Sequence, residues 1–153
     1  MTDADYLDLA LRDAEQAFLR GDWPVAALIV RGEAVLGAGQ NRQNSEDDVM
    51  WHAETDALRN ATRAHGAAAV AGATLYSTME PCPMCAWAMK LAGIRRLVLG
   101  LRNATLRRSD LGKYTVESLC ALTAYELDLT TGVREAECLA LRRRWGKDAV
   151  ARR

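Results

Sequence analysis

The chain has 153 residues, half of them hydrophobic, and its 20 basic residues are balanced by 20 acidic ones. That length makes one ordinary domain with enough apolar material for a real core. The zero net charge lacks the basic surplus of a general nucleic-acid binder, and there is no run of about eighteen apolar residues that could cross a membrane.

The chain opens on a helical pattern. From Asp3 to Arg20, apolar residues recur at Tyr6, Leu7, Ala10, Ala14, Ala17 and Phe18, and Gly21 stops the run. Acids and bases are mixed through this stretch, so no signal peptide is expected. A cytoplasmic, reducing setting follows, in which Cys82, Cys85, Cys120 and Cys138 stay free of disulfides. Val25–Val30 and Ala34–Ala38 read as a hairpin turning through Arg31-Gly32-Glu33. Gln40–Met50 is a polar, acidic loop. His52–His65 has helical spacing. Ala73–Met79 is a strand that must stop near Glu80, because Pro81 and Pro83 cannot donate to a central ladder. Proline suits a first helical turn, so Cys82–Ala92 is a helix ending at Gly93. Ile94–Leu101 reads as a buried strand, Arg102–Lys113 as a polar connection and Thr115–Leu122 as a short helix. Tyr125–Leu129 is a strand and Arg134–Trp145 the last helix. Alternating helices and strands without repeats or linkers predict one α/β domain. The early hairpin makes its sheet mixed.

The chemistry concentrates in His52-Ala53-Glu54 and Pro81-Cys82-Pro83-Met84-Cys85. Cys82 and Cys85 are close enough in a first helical turn to share one ion, and the helix start there favours thiolate. His52 opens another helix and reaches them if the two helix starts converge. Three protein ligands leave the fourth tetrahedral position open for water, which marks a catalytic zinc. Glu54 at the same helix end is placed to carry protons without ligating. One zinc ion per chain is therefore expected, held by His52, Cys82 and Cys85.

The H-x-E…P-C-x-x-C pattern, matched here in full and in order, is that of the zinc nucleobase deaminases. The chain thus resembles the cytidine deaminase-like superfamily, and within it the bacterial guanine, cytosine and tRNA adenosine deaminases. Further likeness lies in Pro24-Val25, Asn41-Arg42, Met79-Glu80-Pro81-Cys82 and Gly132-Val133…Glu137-Cys138. The resemblance covers nearly the whole chain. It implies a three-layer α/β/α fold around a mixed five-stranded sheet, and hydrolytic loss of ammonia from an amino-heterocycle. It also implies base or ribose contacts from Asn41 and from the backbone near Ala53, and a homodimer, for which the apolar helix Ala86–Ala92 offers a surface. Pro24-Val25-Ala26-Ala27 and Leu106–Gly112 depart from the pattern of the relatives that act on tRNA. That favours a small nucleobase or nucleoside over tRNA as the substrate.

Other residues carry two readings each. Trp51 stacks on a substrate ring or fills the core or a subunit contact, and Trp87 has the same choice with the core or subunit contact favoured. Glu80 caps the next helix or binds a base edge. Cys120 and Cys138 read as small buried hydrophobes, and either is the candidate fourth ligand of a purely structural zinc site. Trp23 and Trp145 read as packing residues. Arg107-Arg108 and Arg142-Arg143-Arg144 read as solvated faces or as an RNA footprint.

Overall fold

A computed structural model describes residues 1–146. Helix α1 (Asp3–Arg20) is started by a capping box between Thr2 and Asp5 and ended by Gly21 in the left-handed region. The hairpin β1 (Ala26–Arg31) and β2 (Ala34–Gln40) follows. Next come α2 (Ala53–His65), a single helical turn α3 (Ala67–Val70), β3 (Thr74–Met79) and α4 (Pro83–Ala92). The chain continues through β4 (Arg96–Leu101), α5 (Val116–Thr123), β5 (Asp128–Thr130) and α6 (Glu135–Trp145).

The predicted elements lie close to these. Helix α3 and a 3-10 turn at Ala104–Leu106 are additions that periodicity, which needs a longer window, does not reveal. The last strand begins later than expected. Ala124 closes α5 in the left-handed region, and Tyr125 then turns inward and donates its hydroxyl to Ile94 O at 2.7 Å. Tyr125 is thus a core plug rather than the first residue of β5.

The strands form one five-stranded sheet in the order β2-β1-β3-β4-β5. The β1–β2 and β1–β3 pairs are antiparallel, and β3–β4 and β4–β5 are parallel. Alternation along the strands sorts the core into two layers. Leu28, Val30, Tyr76 and Val98 meet Tyr6, Leu7 and Ala10 of α1, and Ala26 meets Ala14 and Leu141 of α6. Ala27, Ile29, Leu75, Met79, Leu97 and Leu99 face the other way, onto Ala53, Ala57 and Ala61 of α2 and Met89 of α4. The architecture is consistent with three layers, α/β/α.

Helix α2 lies unusually close to β2. A Cβ on Gly39 would stand 2.2 Å from Ala57 N, and one on Gly37 would stand 2.6 Å from Ala61 N. Glycine on the strand and alanine on the helix let the two backbones touch, and this sets the height of the α2 N-terminus.

Candidate active site

Two helix starts converge beyond the C-terminal end of β3. His52 is the N-cap of α2 and Cys82 the N-cap of α4, both in extended backbone, and Pro83 opens α4 with its φ already fixed. Both ligand motifs thus sit where the chain changes from loop to helix and side chains project past the helix end. The Cys82 and Cys85 sulfurs are 3.6 Å apart. Each lies 3.4 Å from His52 Nδ1. A tetrahedral zinc with ordinary Zn–S and Zn–N bonds would set these edges at about 3.8 and about 3.6 Å. The triad therefore fits zinc with almost no adjustment. Among the described residues it is the group of His, Cys, Asp and Glu side chains that converges in this way. Neither Cys120 nor Cys138 joins it. Cys138 is buried on α6, its sulfur 2.5 Å from where a Gly100 Cβ would be.

The thiols share a hydrogen bond, which holds Cys82 down at about 4 and, with burial, pushes Cys85 up. Desolvation opposes charge on His52, but its bond to Cys82 and the nearby Glu54 outweigh this and raise its pKa. Glu54, in the first turn of α2, is 4% exposed. Burial raises its pKa, against the pull of His52. One of its oxygens, Oε1, lies 3.2 Å from the hydroxyl of Ser77 on β3.

His52, Glu54 and Cys82 form part of the wall of a cavity of about 650 Å³. Val25, Met79, Pro83 and Met84 add apolar surface, Asn41, Gln43, Asn44 and Asp47 come from the loop after β2, and Trp23, Arg108, Asp110, Leu111, Arg142 and Trp145 complete the lining.

Residues 1–101 match the family model described as the cytidine and deoxycytidylate deaminase zinc-binding region. The chain belongs to this family. It is 40% identical over 98 residues to the tRNA-specific adenosine deaminase of Agrobacterium fabrum, a match that takes in 64% of this chain and 64% of that enzyme. It therefore covers less than two thirds of that relative's length. A guanine deaminase structure from Nitrosomonas europaea superposes with TM-score 0.82 at 24% identity, over 93% of this chain and 83% of the other, which is a likeness of fold. A structure from studies of A-to-I editing by tRNA:A34 deaminases at the wobble position of transfer RNA gives TM-score 0.71 at 29% identity, over 90% and 98%. No helix among the described residues is long and apolar enough to cross a membrane.

In this deaminase-family chain the residues expected to touch substrate divide. Asn41 is buried and lines the cavity. Its Nδ2 donates to Gln43 Oε1 at 2.7 Å, its Oδ1 accepts from Gln43 N at 3.0 Å, and Gln43 Nε2 donates to Val49 O at 3.1 Å. Gln43 thus braces Asn41 and belongs to the site, although nothing marks it in the sequence. Ala53, the first residue of α2, is fully buried beneath the triad.

Glu80 lines the cavity too, but its carboxylate is committed to protein. Oε1 accepts from Arg102 Nε at 2.9 Å and Asn103 N at 3.0 Å; Oε2 accepts from Val116 N at 3.0 Å and Arg102 at 3.4 Å. These four bonds use its lone-pair directions. The capping expectation for α4 gives way to another task, fastening the Cys82 loop to the end of β4 and the start of α5. Tyr114 helps by donating its hydroxyl to Pro81 O at 2.5 Å.

Trp51 is half-buried with its indole N–H enclosed and without a partner, and its ring is not among the cavity walls. Trp87 is 45% exposed, so it is not a core residue. The basic clusters separate as well. Arg142 is 4% exposed and stacks over Trp23 at 4.8 Å. Only a packed α6 reveals that this arginine faces inward. Trp23 and Trp145, 5.5 Å apart, pack as expected and also wall the cavity.

Proposed function

We propose that the chain is a zinc-dependent hydrolytic deaminase of a small amino-heterocycle, a nucleobase or nucleoside of the cytosine or guanine type, which it converts to the carbonyl compound with release of ammonia. The observation that carries this reading is the meeting of the His52–Cys82–Cys85 triad and the buried Glu54 carboxylate in one walled cavity. A cavity of about 650 Å³ is of small-molecule size. Its wall carries Asp47, Glu54, Glu80 and Asp110 beside Arg108 and Arg142, and Asp47 adjoins the exposed Glu46 and Asp48, so it lacks the basic surplus that binds a polyanion.

His52, Cys82 and Cys85 would hold the metal. Bound zinc supplies a Lewis acid that makes water nucleophilic near neutral pH. Glu54 accepts the proton of the attacking water and delivers it to the ring nitrogen beside the amino-bearing carbon. Glu54 then takes the second proton from the hydroxyl now on that carbon and passes it to the amine, so the C–N bond breaks, ammonia leaves and the carbonyl forms. Asn41, braced by Gln43, would orient the heterocycle.

Ammonia release from cytosine, guanine, adenine, their nucleosides and amino-triazines tests this. Turnover of at least one member by zinc-loaded protein is expected; silence across the panel would overturn it.

The 40% identity to an enzyme named as a tRNA-specific adenosine deaminase favours a second reading, wobble-adenosine deamination. It requires inosine in tRNA after incubation, and binding that weakens steeply with salt. The homodimer belongs with either reading. Trp87 and Leu91, 45% and 73% exposed one turn apart on α4, and Leu122, 87% exposed on the adjoining α5, form its apolar contact. A monomer mass by light scattering at micromolar concentration would refute it.

A further inference from the structure

We infer that Ser77 is a positioning residue for Glu54, fixing the carboxylate that the functional reading above makes the proton carrier. Ser77 is fully buried in β3. It pairs with Ala27 of β1 on one side and Leu99 of β4 on the other. Its strand neighbours on the same face, Leu75 and Met79, belong to the apolar core under α2. A hydroxyl in such a place costs free energy unless its bonds are made. Its oxygen lies 2.7 Å from Met79 O, 3.3 Å from Met79 N and 3.2 Å from Glu54 Oε1.

The hydroxyl has one hydrogen and two acceptors within reach, the Met79 carbonyl and the Glu54 carboxylate. It can donate to Glu54 while that group is a carboxylate. Met79 O at 2.7 Å and Met79 N at 3.3 Å hold the hydroxyl in place on the backbone, so that its oxygen stays against Glu54 Oε1. Holding Oε1 in this way leaves the other carboxylate oxygen to exchange protons with water and substrate. Ser77 itself touches no substrate. It acts from the central strand, through a contact 23 residues away in sequence.

The test compares wild type with Ser77→Ala, Ser77→Thr and Ser77→Val on the substrate found in the panel, with zinc content and melting temperature measured on the same samples. Thr and Val have nearly the same shape and differ by the hydroxyl, so they decide the matter even if the alanine variant folds poorly. Ser77→Ala and Ser77→Val are expected to lose about tenfold in kcat, the scale of one hydrogen bond to a charged group, with KM and zinc content within about twofold of wild type. Ser77→Thr is expected to retain most of kcat. Equal kcat in Thr and Val, or losses of KM, zinc and stability in parallel with kcat, would overturn the inference and make Ser77 merely structural. A wild type silent on the whole panel would instead overturn the functional reading, and this inference with it.

Discussion

Glu54 and Cys82 stand in the same cavity wall, yet the proposed mechanism gives them separable tasks. Glu54→Gln keeps the shape of a side chain that does not ligate, so zinc is expected to stay near one per chain. The amide cannot accept and return a proton, and turnover is expected to fall by at least ~10²–10⁴-fold. Cys82→Ala removes a thiolate from the triad, and metal, activity and stability are expected to fall together. Metal analysis and rates on the same samples separate the two. A zinc-free Glu54→Gln, or one with ordinary turnover, would refute the assignment. The same scale of reading shows why the task of Glu80 was hidden: a carboxylate before Pro81-Cys82 suggests a cap or a base-edge contact, but its partners Arg102, Asn103 and Val116 are distant in sequence.

Two elements hold the site in place. The first is the seam between α2 and β2. Gly39→Ala would put a methyl group 2.2 Å from Ala57 N and 2.3 Å from Ala53 O, and backbone cannot yield as a side chain can. Overpacking of this kind costs about 1–3 kcal/mol, occasionally more, or roughly 2–4 °C in melting temperature per kcal/mol. Because His52 caps this helix, zinc retention is expected to fall as well. A variant with wild-type melting and zinc content would show that the helix position is not set here. The second element is the loop after β2, tied down by the fully buried Asp22. Asp22 accepts from Asn44 N, Ser45 N, Ser45 Oγ and Arg20 Nε at 2.6–2.9 Å. Burial alone would raise its pKa, but these bonds outweigh burial and lower it. An unfolded chain therefore binds more protons as pH drops through the ordinary aspartate range. The stabilisation is full above about pH 4 and is lost as pH falls through the lower folded value. Asp22→Asn is expected to cost roughly 1–3 kcal/mol at pH 7, and its deficit against wild type to shrink below about pH 4. Urea unfolding of both proteins at the two pH values checks this; a deficit independent of pH would contradict it.

At the scale of the molecule, metal and fold are linked. The proposed ligands come from the starts of two helices, α2 and α4, so an ion bound to all of them favours the packed arrangement over any unfolded one. At free zinc about 100-fold above Kd the gain is about 2.7 kcal/mol. Stripping zinc with a chelator is expected to lower the melting temperature, and adding it back to restore it. An unchanged melting curve in chelator would mean that the triad does not couple metal to folding.

The sequence alone determined what depends on near neighbours. Helix starts and stops were legible from Pro83, Gly21 and Gly93. The hairpin followed from the residues around Gly32, and the metal triad from two short motifs, each placed by its own helix cap. Family resemblance then supplied the layer architecture that local patterns leave open. What only tertiary structure decided depends on residues far apart in the chain. The approach of β2 to α2 singles out Gly37 and Gly39. The docking of α6 turns Arg142 onto Trp23 and adds Arg142 and Trp145 to the cavity wall. The strand order brings Ser77 under Glu54, and the ends of β4 and α5 take up Glu80. A serine in a strand or an arginine on a last helix carries no local mark of its partner. Burial and hydrogen-bond geometry exist only once the layers are packed.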